Sequence, residues 1–304
     1  MAKIAVELEK ALARRALDGG AGRTTTRWLA RGEGWRVGDV ICTSGPDDRP
    51  FEERHASVAI ALVTAGTFQY RSAGSRELMT PGSLMLANAG QSFECGHEHG
   101  LGDRCLSFHY DPDYFESLAA DAAGGSRARP ARGARPGFRP LRLPPLRPIS
   151  ALAARACAGL TGSGNVSWEE LSVQMAARTV QLAGGFTSGT GAVSPAATAR
   201  VTRAVRRIER DPCDGLSLSE LAREARLSPY HFLRTFQRLT GVTPHQYVLR
   251  TRLREAAVRL AAEPGRVADV AFDSGFGDVS NFNHAFRAEF GVSPRGYRQI
   301  SRTS

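Results

Sequence analysis

The sequence predicts an α+β chain of more than one domain. An N-terminal β-barrel or sandwich is followed by a helical linker and then by an all-α domain with two helix-turn-helix units. Three observations predict this. From about Thr26 to Tyr110 short β-prone runs alternate with turn residues, from Ile149 the spacing of apolar residues becomes helical, and the C-terminal third contains an internal repeat. At 304 residues the chain is long enough for two separate cores.

The first twenty residues, MAKIAVELEKALARRALDGG, are amphipathic and include acids, so they lack the unbroken apolar block of a secretory signal. No apolar run reaches the roughly 20 residues of a membrane span. The expectation is a cytoplasmic protein without a membrane partner. Cys42, Cys95, Cys105, Cys157 and Cys213 show no framework spacing, which fits reduced thiols better than a disulfide scaffold.

The β-prone runs are TRWLA, WRVGDVICTS, SVAIALVTAG, TFQYRS, RELMT, SLMLA, QSFEC and RCLSFHY. Turns such as Ser44-Gly45-Pro46, Ala73-Gly74-Ser75 and Pro81-Gly82 separate them, as in a sandwich or barrel. Residues 121–148 are rich in Arg, Pro and Gly and read as an insertion, with one late strand near 138–143. The N-terminal domain is accordingly placed at 1–148. Residues 149–185 carry two helical patterns, the second opening on Ser167 as N-cap with Glu170 three residues on. They read as a helical linker able to pair with a second chain as a homodimer. FTSGTGAVSP, 186–195, reads as a loop linker, and 196–304 as the C-terminal domain.

That C-terminal domain holds two copies of one unit. Phe232, Phe236, Gly241, Val242, Pro244 and Tyr247 recur fifty residues on as Phe282, Phe286, Gly291, Val292, Pro294 and Tyr297. Leu221-Ala222 recurs forty-nine residues on as Val270-Ala271, so the second turn is one residue longer. Ser217 and Glu220 make a capping box, Ser228 caps a helix whose first residue is Pro229, and Asp278 caps its counterpart. Two helix-turn-helix units at 217–240 and 267–290 follow, joined by a helix from about Pro244 to Ala262. The phenylalanines, spaced by four, face the core. The charge is placed to match: 196–304 holds 18 Arg against 11 acids, within a formal net charge of +10. A basic all-α unit with paired reading helices suggests a polyanion partner.

The residues Leu221-Ala222, Ser228-Pro229, Arg234, Phe236, Gly241, Ala271, Gly275-Phe276, Phe282, Phe286 and the terminal GVSPRGYR resemble the AraC/XylS transcriptional regulators. The resemblance implies a regulator, an activator in many members, that meets double-stranded DNA and RNA polymerase and responds to a small-molecule effector. Carried over residue by residue, Tyr230, Leu233 and Arg234 of the first unit face the major groove, as do Val279, Ser280, Asn281 and His284 of the second. The family commonly has Arg where His284 stands, and His makes fewer guanine contacts. Arg238, Arg250, Arg252, Arg254 and Arg287 are candidates for phosphate contacts.

PGSLMLANAG, 81–90, looks like the cupin barrels of the same regulators. CGHEHGLGDRC, 95–105, brings Cys95, His97, Glu98, His99 and Cys105 close in sequence, with His55 and His109 nearby in strand order. If 95–99 is extended, Cys95, His97 and His99 share one side. Thiolates with imidazoles suit a transition metal such as zinc, so Cys95, His97, His99 and Cys105 form a candidate metal set. A thiol-based redox or electrophile sensor and the polar mouth of a small-molecule pocket are the competing readings. A cupin-type metal-dependent enzyme with a helical appendage is the alternative function, weakened because Phe93 stands where metal-binding cupins place a His.

Overall fold

The computed structural model describes residues 2–50, 52–122, 137–162, 166–186 and 193–303. Most of the expected insertion and the 187–192 part of the expected loop linker lie outside the described residues. The chain forms two compact units, one of Ala5–Leu143 with Ser167–Ala192, the other containing Pro144–Val166 and Val193–Ser304. Among the described residues, no helix is long and apolar enough to cross a membrane.

Helix α1 (Ala2–Asp18), which belongs to the β-rich unit from Ala5 onward, precedes β1 (Thr24–Gly32), β2 (Trp35–Cys42), β3 (Glu52–Arg54), β4 (Val58–Gly66), β5 (Phe68–Ser72), β6 (Ser75–Met79), β7 (Leu84–Ala87), β8 (Ser92–Gly96) and β9 (Asp103–Tyr110). Helix α2 (Pro112–Ala122) and β10 (Arg142–Leu143) follow. The described strands make one sheet in the order β1-β2-β9-β4-β7-β10 and a second in the order β3-β8-β5-β6. This is a two-sheet sandwich, one of the two architectures, sandwich or barrel, that the spacing of turns allows. β4 is central in the larger sheet, and its VAIALVTA run is buried on both faces, which explains why it reads as a continuous apolar run rather than an alternation.

The register that matters most is between β2 and β9, which are antiparallel with Val40 opposite Cys105 and Cys42 opposite Asp103. The late strand expected at 138–143 contracts to Arg142–Leu143, paired with β7. Residue 138 is held instead by Asn88, whose amide nitrogen donates to the Phe138 carbonyl at 2.9 Å while its oxygen accepts from the Phe138 amide at 2.7 Å. Helices α1 and α2 and the short β3 are elements that strand-and-turn spacing did not reveal.

Helices α3 (Arg147–Leu160) and α4 (Trp168–Ala183) come next, and they divide between the units, which corrects the expectation of one linker segment at 149–185. α4 buries Leu171, Met175 and Ala176, and its Ser172 carbonyl accepts from the Tyr110 hydroxyl of β9 at 2.8 Å. α3 buries Ala154 and Ala158 in the core of the helical unit. Each helix thus packs part of its apolar face inside its own unit, while Trp168, Val173, Val180 and Leu182 of α4 stay half-buried.

The helical unit continues with α5 (Pro195–Arg210), α6 (Leu218–Glu224), α7 (Pro229–Thr240), α8 (Pro244–Ala262), α9 (Val267–Asp273), α10 (Val279–Phe290) and α11 (Pro294–Thr303). The capping chemistry sets these bounds. Ser217 and Glu220 complete the capping box, Ser228 accepts from the His231 amide, and Asp278 accepts from the Asn281 amide at 2.7 Å. Gly241 and Gly291 end α7 and α10 in the left-handed conformation, at φ 79° and 78°. The repeat extends to the turns, where the Leu227 amide donates to the Ala222 carbonyl and the Phe276 amide to the Ala271 carbonyl. One departure is α9, which starts at Arg266 with no side-chain cap, where the first copy has Ser217. Phe232, Phe236, Phe282 and Phe286 are fully buried, as the spacing of four requires.

Candidate functional site

The second helix of each helix-turn-helix unit keeps one face in the core and offers the other to solvent. On α7, Tyr230, Arg234 and Arg238 are exposed and Leu233 is half-buried. On α10, Ser280, Asn281, His284 and Arg287 are exposed and Val279 is half-buried. The residues assigned to groove reading therefore lie on the outer faces of the two helices. The Arg234 guanidinium lies 5.8 Å over the Tyr230 ring and donates to its hydroxyl at 3.3 Å. Stacking holds both side chains at the front of α7 and lowers the rotamer freedom that Arg234 would lose on contact.

Around α10 the outer face opens into a groove lined by Val279, Ser280, His284 and Arg287 together with Arg266 and Arg295. Arg266 and Arg295 are exposed, and sequence reasoning did not single them out. The repeat carries the signal for both, since they occupy the places of Ser217 and His245 in the first copy. The second copy gains two cations that the first does not have.

Three of the expected phosphate contacts are corrected. Arg254 is buried, and its Nη2 donates to the Glu209 carboxylate at 2.8 Å. Arg252 donates to the carbonyls of Pro212 at 2.7 Å and Gly275 at 3.0 Å. Arg250 bonds the Pro145 carbonyl and lies 3.4 Å from the buried Glu289. All three sit on α8, which is the central helix of the unit rather than an exposed connector, so their guanidinium groups satisfy internal acceptors.

The β-rich unit contains a cavity of about 340 Å³ between its two sheets. Strand alternation builds its wall: Thr24, Thr26 and Trp28 of β1, Ala59 and Ala61 of β4, and Asp103, Cys105, Ser107 and His109 of β9 all point inward at every second position. From the smaller sheet come Phe68, Phe93 and Cys95. His55 stacks on Phe93 with ring centroids 3.8 Å apart and shares a 2.8 Å hydrogen bond with the Tyr70 hydroxyl. His109 bonds the hydroxyls of Ser57 and Ser107 at 3.0 and 2.9 Å. Burial, with the nearby charge of His109 for His55 and of Arg36 for His109, pulls both imidazoles down to a pKa of about 4. They line the cavity as neutral, hydrogen-bonding groups.

Part of the wall is different in kind. Cys42 at the end of β2, His97 just after β8 and Asp103 at the start of β9 bring one sulfur, one ring nitrogen and one carboxylate oxygen within 4.8 Å of one another, with His97 and Asp103 buried and Cys42 half-buried. His97 Nε2 is 2.6 Å from Asp103 Oδ1, and the Cys105 thiol donates to Asp103 Oδ2 at 3.3 Å. Burial opposes charge on His97, but hydrogen bonds to Asp103 and Cys42 overcome it and raise its pKa to about 10. Burial likewise pushes the Cys42 thiol up, and the bond to His97 more than offsets it, so the net shift is downward. Cys95 and Cys105, deeper in apolar surroundings, are pushed well up by burial and by Asp103.

The cluster of Cys95, His97, His99 and Cys105 is therefore corrected. Extended structure ends at Gly96 and a turn follows, with the Gly100 amide on the His97 carbonyl, so His99 does not continue the side shared by Cys95 and His97. His99 lies 3.9 Å from Glu98 and is not part of the cavity wall. Glu98 binds Arg71 and Arg76. Cys95 and Cys105 line the cavity, but the converging trio is completed by Cys42 and Asp103, which sequence proximity could not reveal.

Two family models match the chain: a helix-turn-helix domain over 221–300 and an AraC-like ligand binding domain over 39–177. LumQ of Photobacterium leiognathi is 40% identical over 87 residues, covering 29% of this chain and 35% of that protein. The HTH-type transcriptional activator RhaS of Klebsiella pneumoniae (strain 342) is 36% identical over 101 residues, covering 33% and 36%. The chain matches about a third of the length of these curated relatives. Among solved structures, the DNA-binding domain of AdpA, the global transcriptional factor, in complex with a target DNA is similar at 28% identity, covering 34% of this chain and 94% of that one with a TM-score of 0.33.

Proposed function

We propose that this chain, which belongs to the AraC/XylS family of transcriptional regulators, binds a specific double-stranded DNA site through α7 and α10 and takes a small-molecule effector in the cavity of its β-rich unit. The observation that carries the reading is the duplicated helix with matched caps, a buried phenylalanine face and an exposed polar one. A nineteen-residue α8 at 1.5 Å per residue is about 28 Å long, a spacer suited to successive major-groove segments about 34 Å apart. Arg234 supplies the fork that reads guanine, while Arg238, Arg266, Arg287 and Arg295 serve as phosphate contacts. The matched relatives carry the names of regulators, which supports the regulator reading over the enzyme alternative. RNA polymerase and a second copy of the chain are proposed partners.

Arg234→Ala tests the first head. The expected loss is about 1–3 kcal/mol on the specific site, with a smaller loss on random DNA. Equal losses on both would make Arg234 a phosphate clamp and remove it from base reading. His284→Arg restores a guanidinium at the matching place of the second head and is expected to tighten the specific complex. A complex no tighter than wild type would remove His284 from the groove.

A further inference from the structure

We propose that Cys42, His97 and Asp103 form a binding site for a thiophilic divalent transition metal such as Zn²⁺, with its remaining coordination position facing the cavity. The three donors come from separate segments that the β2–β9 register brings together, and their ligand atoms converge within 4.8 Å. A tetrahedral ion with bonds of about 2.0–2.3 Å has ligand-to-ligand edges of about 3.3–3.8 Å, so small side-chain movements that widen the 2.6 Å His97–Asp103 contact and draw in the more distant donor fit the trio to one ion. One thiolate, one imidazole and one carboxylate form a set that favours zinc-type ions over magnesium or calcium, which prefer oxygen alone.

The surroundings fit the same purpose. The Cys105 thiol holds Asp103 Oδ2, leaving Oδ1 directed at His97 and the space between the ligands. Such an outer hydrogen bond orients a ligating carboxylate. All three ligands lie in the cavity wall, so an ion there would present an open position to whatever occupies the 340 Å³ space. A ligand of that position is a small molecule with a carboxylate, thiolate or other Lewis base. The metal releases the protons it displaces from Cys42 and His97 to solvent, so affinity rises with pH.

The inference rests on reading the cavity as the effector site, but its test does not involve DNA. Titration of the full-length protein with Co²⁺ is expected to give a thiolate-to-cobalt charge-transfer band that saturates at one equivalent. Zn²⁺ should displace the band. Cys42→Ser should abolish it, His97→Gln should weaken Co²⁺ binding by more than the roughly 10–100-fold that loss of an outer-shell partner costs, and Cys95→Ser should leave it in place. As a check that does not depend on variant folding, Zn²⁺ should slow alkylation of Cys42 by iodoacetamide in the wild-type chain. Absence of the band in wild type, its persistence in folded Cys42→Ser, or alkylation at the same rate with and without Zn²⁺ would overturn the proposal. Loss of specific DNA binding with an intact cobalt spectrum would instead count against the regulator reading alone.

Discussion

Glu209→Ala is expected to destabilise the helical unit by about 3–5 kcal/mol, the cost of leaving a buried guanidinium without its counter-ion. Glu209 accepts from Arg254 at 2.8 Å, from the Tyr247 hydroxyl at 2.9 Å and from Thr251 at 3.1 Å. It thereby ties α5 to the middle of α8, and Tyr247 in turn packs on Phe236 of the first head. Urea unfolding of the full chain measures the loss. The double replacement Glu209→Leu with Arg254→Met should recover most of it, because an apolar pair of similar volume removes both the charge and its need for a partner. If Arg254 were a phosphate contact instead, Glu209→Ala would leave stability within about 1 kcal/mol and change only the salt dependence of DNA binding.

Ala154→Asp is the second large effect. Ala154 lies in the cluster of Leu253, Ala257, Phe282, Phe286 and Tyr297, so a carboxylate there is buried among aliphatic and aromatic groups. The expected cost is several kcal/mol, with loss of the second head before the first. Nearby, α3 binds the buried Glu289 of α10 through Ser150 and through Arg147 at 3.4 Å. Helix α3 is thus part of the second head's foundation. Were α3 a dimerisation helix, the substitution would convert dimer to monomer while the unfolding midpoint of the monomer stayed in place. Sedimentation and denaturation of the same sample separate these outcomes.

The two heads were legible because their information is local. An N-cap, a proline at the first helical position, a phenylalanine every fourth residue and a glycine at the end each act within one or two turns, and duplication displays every signal twice. Ser228, Asp278, Gly241 and Gly291 all perform the roles their chemistry suggests. The arginines of α8 misled because the exposed or buried state of a helix is set by what packs on it. Arg252 and Arg254 read as surface charge until Glu209 of α5, the Pro212 carbonyl after it and the turn at Gly275 take them up. The same limit governs the cavity. His97 was visible beside Cys95, but Cys42 lies more than fifty residues earlier, and only the antiparallel pairing of β2 with β9 sets it opposite Asp103. A period of two also fails where a strand stops, which is why His99 does not join His97.

Hydroxyl-radical footprinting of the full chain on DNA enriched from a random library tests most directly whether α7 and α10 act as paired reading heads. The account predicts two protected segments about one duplex turn apart, the one assigned to α7 weakened by Arg234→Ala and the one assigned to α10 altered by His284→Arg. Protection confined to a single half-turn, or a library that enriches no sequence above the affinity for random DNA, would contradict it.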